Sequence, residues 1–212
     1  MRRLRSTLPI LLAGVLGCQP ATPPAAERTA AVASAAEALA TRSELRSDSL
    51  RLAALIRGLP RQPTVCQRMV REIARVAERH PADTAAFLGS LQDEFVGGTG
   101  NPFELEAGLR EGRWNQRYFY AGHGGFRSEY DDAQRYPEGG NHQPGHLVSV
   151  FLVAARFGGE SARVAIAHAG DYEPGDEDDL RLSVRAIEWG EGLRGGALRP
   201  GEMALQLPEL CR

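Results

Sequence analysis

The apolar positions of this chain recur mostly at helical intervals, and one run departs from that rhythm by being apolar all round. Leu147, Val148, Val150, Phe151, Leu152 and Val153 face every direction, so periodicity alone leaves strand and helix open. Three local signals favour helix. Pro144 suits a first helical position with His142 or Gln143 as the cap, Ala154-Ala155-Arg156 carries the run past strand length, and Gly158-Gly159 supplies a left-handed stop. A helix that is apolar on all faces is packed on most sides by other helices. It is also too short to cross a bilayer, which takes about 20 apolar residues.

Around this central helix the pattern predicts amphipathic ones. Thr41 to Gly58 carries Leu45, Leu50, Leu52, Leu55 and Ile56 in a loose stripe that ends at Gly58 and Pro60. Thr64 caps a second helix, with Val65, Met69, Ile73 and Val76 at helical spacing as far as His80-Pro81. Asp83 or Thr84 starts a third, in which Phe87, Leu91 and Phe95 recur four apart before Gly97-Gly98. A fourth, from Asn101 to Arg117, is interrupted by Gly108 and Gly112, and Trp114, Tyr118, Phe119 and Tyr120 after it read as core beneath a loop. Glu160 to Ala169 forms a short helix with Val164, Ile166 and His168. Asp176 to Arg194 forms a longer one, with Leu180, Val184 and Ile187 as its core stripe and Gly195-Gly196 as its stop. Six acids between Asp171 and Asp179 lack the ligand alternation of a calcium loop. They are placed instead to satisfy the amides and dipole at the start of that last helix. The expected fold is therefore all-α, a single compact helical bundle around a buried central helix.

The first residues belong to no such element. Arginines at 2, 3 and 5 precede the apolar run Leu8 to Gly17, in the order of an export signal. Val15-Leu16-Gly17-Cys18 resembles the lipobox of bacterial lipoproteins, with an aliphatic residue three positions before the cysteine and a small residue just before it; Leu16 is the less usual occupant. The resemblance implies a signal peptide over 1–17 and a Cys18 that carries diacylglycerol and becomes the acylated N-terminus. Several acyl chains anchor durably where one does not. Gln19, in place of the Asp that retains many lipoproteins at the inner membrane, implies the outer membrane facing the periplasm. Without the lipobox, the same segment is a secretory peptide cleaved elsewhere or an N-terminal helix with an incidental thiol. Residues 18–40 are rich in Ala, Pro and Thr, the composition of a flexible tether, with the alanines from Ala30 able to form a marginal helix; 41–212 is the helical domain.

Charge narrows the partners. Every basic residue is an arginine, no basic stripe is interleaved with aromatics, and removing the three signal arginines takes the formal charge from −2 to −5. That composition argues against nucleic acid and leaves the membrane, through the anchor, with an envelope protein or glycan as partner. Of three cysteines, Cys18 is taken by lipid; Cys66 and Cys211 remain, either bonded to each other in an oxidising compartment or present as two buried thiols.

A wider resemblance runs from Gly124 to Cys211. Gly125-Phe126, Glu129-Tyr130-Asp131-Asp132, Gln143 and His146 leading the buried helix, Gly175-Asp176, Leu180, Gly190, Gly192-Leu193, Gly196 and Leu210-Cys211 look like a helical module of bacterial proteins. That module has a Gln-x-x-His-Phe entry, a Gly-Asp-x-x-Leu helix start and a terminal Leu-Cys. This chain has Leu147 in place of the Phe and one extra residue before Leu180. The module brings no established activity.

Four of the five histidines lie between His123 and His168. His142 and His146 are separated by Pro144-Gly145, so they are not the paired ligands of a helical zinc motif, and no metal or cofactor is expected. His146 with Glu129 or Asp132 folded over it is the candidate catalytic set, because a carboxylate orients one ring nitrogen and frees the other. His123, Gln143 and His168 are candidate binding residues. The competing reading is a structural network that seats the loop 123–146 on the bundle. The chain is thus expected to be an envelope lipoprotein with a helical binding or structural domain, and the alternative is an envelope hydrolase built on His146.

Overall fold

Thirteen consecutive residues, Gln143 to Ala155, are buried in the helix Gln143–Phe157, as an all-round apolar run requires. The computed structural model describes residues 25–96, 124–131, 143–169 and 177–212. The chain divides into two units, Met1–Ala40 and Thr41–Arg212. In order, the elements are α1 (Ala25–Gly58), α2 (Val65–Arg79), α3 (Thr84–Leu91) running into a π-helical turn (Gln92–Val96), and a 3₁₀ turn (Ser128–Tyr130). Then come α4 (Gln143–Phe157), α5 (Gly159–Ala169), α6 (Glu177–Arg194), α7 (Pro200–Gln206) and a 3₁₀ turn (Leu207–Leu210). The fold is all-α, a helical bundle around α4; among the described residues the one β feature is an isolated antiparallel bridge between Phe126 and Cys211. No described helix is long and apolar enough to cross a membrane. The helix expected over 101–117 and the aromatics that follow it lie outside the described residues.

Local signals set the helix ends. Thr64 and Gln67 form a reciprocal capping box on α2, each side chain accepting from the other's amide at 3.2 Å, and Asp83 accepts from Ala86 N at 2.9 Å on α3. Alanine's high helix propensity extends α1 upstream to Ala25, through the second half of the segment read as a tether. The sequence reading did not predict α7, although Pro200 stands at its start and Glu202 Oε2 accepts from Arg199 N at 2.9 Å.

One member of each of two expected stripes faces outward. Leu50 is 65% exposed while Asp48, two residues before it on α1, is 4% exposed. Arg199 accounts for the inversion. Its Nη2 reaches Asp48 Oδ2 at 3.1 Å and Glu202 Oε1 at 2.7 Å, and its Nη1 reaches Glu44 Oε2 at 2.7 Å. Burial works against the guanidinium's charge, but the hydrogen bond to Asp48 and the fields of Glu202, Asp48 and Glu44 outweigh it and hold the Arg199 pKa above its ordinary value. On α6, Val184 is 48% exposed. The buried face is instead Leu182, Ser183, Ala186, Ile187, Trp189, Gly190 and Leu193.

Cys66 and Cys211 form a disulfide, with Cα atoms 5.7 Å apart. The residues around it interlock three segments: Cys66 N donates to Gly124 O at 2.7 Å, Arg127 N to Leu210 O at 2.9 Å and Arg212 N to Gly125 O at 2.9 Å. Gly125 has a φ of +70°, and a Cβ there would stand 2.3 Å from Thr64 Oγ1, so glycine is required on both counts.

α4 and α6 approach closely at Gly190. A Cβ on Gly190 would stand 2.6 Å from Ala154 Cβ, 2.8 Å from Phe151 O and 2.9 Å from Ala155 N. Backbone cannot yield as a side-chain tip does. Gly190→Ala is therefore expected to destabilise the fold by about 1–3 kcal/mol through overpacking. Gly89→Ala, in α3 with nothing within 4 Å of an added Cβ, should instead be neutral or stabilising by up to about 1 kcal/mol. Chemical denaturation of the two variants beside the parent checks the contrast. The disulfide predicts a second result. The bonded residues are 145 apart in sequence, so reduction should lower stability by up to about 5 kcal/mol. Melting with and without reductant measures this, and unreduced protein should show neither thiol open to alkylation.

Candidate functional site

The polar entry to α4 meets the first turns of α6. Gln143 Nε2 donates to Asp179 Oδ1 at 2.7 Å, and His146 Nε2 lies 2.7 Å from Ser183 Oγ. Farther along, Phe151 and Ala154 meet Gly190, and Glu191 Oε1 accepts from Gly159 N at 3.2 Å. The contacts advance in the same order on both helices, so α4 and α6 run parallel. Their N-termini therefore lie together.

Spacing explains the register. Gln143 and His146 are three apart, Asp179 and Ser183 four apart, and both intervals keep side chains on one helix face. Gln143 is fully buried, His146 is 6% exposed and Ser183 is 1% exposed. Ser149, the next residue on the same α4 stripe, is also buried, and its Oγ has no hydrogen-bond partner among the described residues. A donor–acceptor pair exchanged for water in this way adds about 1 kcal/mol net, whereas one partner stranded by loss of the other costs about 1–3 kcal/mol.

The expected residues are only partly brought together. His146 and Gln143 occupy the seam. The described hydrogen bond of His146 is to a hydroxyl, Ser183, while the seam's carboxylate, Asp179, binds Gln143. Glu129, on the Ser128–Tyr130 turn, accepts from Ser128 Oγ at 3.4 Å. Asp131 pairs with Arg212, whose guanidinium also donates to Phe126 O. His123 and Asp132 lie outside the described residues. His168 stands in the last turn of α5, and its side chain is outside them as well. Cys18 is likewise outside. Among the described residues no three His, Cys, Asp or Glu side chains converge on a point fit to hold a metal ion.

The sequence reading missed Asp179 and Ser183 as partners. Asp179 stood only as one of six acids at a helix start, and Ser183, beside the inward-assigned Val184, was not singled out. A second polar contact on α4 also escaped it. Arg156, in the last turn, donates through Nη1 to the buried Gln92 Oε1 at 2.5 Å, inside the π-helical turn. Burial lowers the Arg156 pKa and Asp93 partly offsets it.

The fold and its seam define a class, an all-α bundle built on a parallel helix pair with a buried polar ladder at the shared N-terminal end. No family model matches the chain, and neither does any curated protein or solved structure.

The ladder has a direct energetic consequence. His146→Ala and Ser183→Ala should each cost about 1–3 kcal/mol, because each breaks a buried hydrogen bond, and the double variant should cost less than the two added together. Equilibrium unfolding of the four proteins of this cycle measures the coupling. Unchanged stability in both single variants would remove the structural role.

Proposed function

We propose that this chain is a bacterial envelope lipoprotein, anchored through lipid on Cys18, whose helical domain serves as a binding or structural module for an envelope protein or glycan. The observation that carries the non-catalytic side of this reading is the burial of His146. A general base needs access to the proton it removes, and here the imidazole is enclosed and bonded to Ser183. Support for the compartment comes from the Cys66–Cys211 bond, since disulfides persist where the surroundings are oxidising. The order of arginines, apolar run and Cys18 supports the anchor.

The anchor is tested at Cys18. Cys18→Ser should abolish metabolic acyl labelling and either release the protein from membranes or leave its precursor uncleaved. Labelling and fractionation that match the parent would overturn the reading.

A further inference from the structure

Charge is distributed very unevenly along this chain. Residues 51–80 contain seven arginines against two acids, Glu72 and Glu78, whereas residues 81–212 contain 12 arginines against 21 acids. A chain of formal charge −2 thus holds a strongly basic segment that spans the end of α1, the connection after it and α2.

Helix geometry concentrates that charge further. Arg68, Arg71, Arg75 and Arg79 recur at intervals of three and four, so they form one stripe along α2. The opposite face, which includes Cys66, Val70, Ile73 and Ala77, is buried. Arg75 and Arg79 are exposed, and Arg68 and Arg71 are half-buried. Arg71 Nη2 donates to Pro60 O at 2.6 Å, which holds the α1–α2 connection, with exposed Arg61, against the head of the stripe. Glu72 pairs with Arg75 at 3.0 Å, yet the Arg75 side chain stays 48% exposed.

The shape and composition of this face select among anions. A helix surface is convex, so it does not enclose a small ion. Residues 51–80 contain no Phe, Tyr or Trp, so no platform exists on which unpaired bases stack. A straight row of arginines suits a flat array of phosphates, because each guanidinium presents a planar fork of donors to phosphate oxygens.

We propose that the α2 arginine stripe, continued by Arg61, docks on the phosphate headgroups of an anionic lipid surface. This deepens the reading of the chain as membrane-anchored, and rests on it only for the nearness of the membrane. Each basic side chain near such a surface strengthens partitioning roughly fivefold, and the effect falls away within a Debye length. Salt should therefore reverse the docking.

The test uses the full chain carrying Cys18→Ser, which has no acyl chain whether or not Cys18 is normally lipidated, so its outcome is independent of the anchor. Co-sedimentation compares vesicles of phosphatidylcholine alone with vesicles of phosphatidylcholine and phosphatidylglycerol in equal parts. The apolar residues 8–17 are common to every sample and contribute equally to both lipids. Stronger binding to the anionic vesicles is expected, reversed by salt and unaffected by inorganic phosphate at the concentration of the lipid phosphate. Adding Arg61→Gln, Arg75→Gln and Arg79→Gln should weaken it on the order of 100-fold, and the same three positions changed to Lys should retain most of it. Equal binding to the two lipids, or a triple Gln variant that binds like its parent, overturns the proposal. So does competition by inorganic phosphate, which would mark a free-anion site, or salt-sensitive self-association without lipid, which would make the stripe's partner the acidic part of a second copy.

Discussion

The approach of α6 to α4 at Gly190 is the constraint on which the bundle depends. With Ala154 Cβ, Phe151 O and Ala155 N all within 2.9 Å of where a side chain would begin, the two helices meet backbone to backbone. Such proximity fixes their relative rotation and translation together. It places Ser183, two turns upstream of Gly190, against His146, and Asp179 against Gln143. It also brings Glu191 to the first amide of α5, where a Cβ on Gly159 would stand 2.4 Å from Glu191 Oε1. A shift of either helix by one residue would put Ser183 on another face and leave the imidazole without that hydroxyl.

Elements outside this pair are fastened by specific polar and covalent contacts as much as by burial. Arg199 joins α7 to Glu44 and Asp48 of α1. Arg156 joins α4 to the π-helical turn through Gln92. The disulfide and three backbone hydrogen bonds hold residues 124–127 between the start of α2 and residues 210–212. Phe126 is fully buried there, in a segment with no helix to present it. Removing Arg199 would strand the buried Asp48, and removing Arg156 would take a donor from the buried Gln92, so either loss costs more than the pair itself contributes.

Much of this was legible in the sequence because it rests on local rules. The caps at Thr64 and Asp83, the stops at Gly58 and Gly196 and the all-apolar α4 follow from short-range sterics and hydrogen bonding. Parity and compartment pointed to Cys66 and Cys211, although two buried thiols remained open. What escaped depends on partners far apart in the chain. Leu50 and Val184 looked inward by hydrophobicity alone, but Asp48 takes the inner position because Arg199 arrives 151 residues later. Ser183 takes one because His146 lies across the contact. Hydrophobic stripes locate a buried face only to within a polar residue's ability to satisfy its hydrogen bonds there.

The parallel arrangement of α4 and α6 carries an electrostatic cost that the seam offsets. Each helix N-terminus behaves as roughly half a positive charge, and parallel neighbours bring two such ends together. The N-terminal turn of α6 supplies Glu177, Asp178 and Asp179, whereas that of α4 has no acid. Asp179 serves both ends, since its carboxylate lies over the first turn of α6 and accepts from Gln143 in the first turn of α4. A neutral amide suits that shared position better than a second carboxylate, because Gln143 donates where an acid would repel Asp179. Gln143, at the head of the apolar helix, thereby serves the packing of two like dipoles.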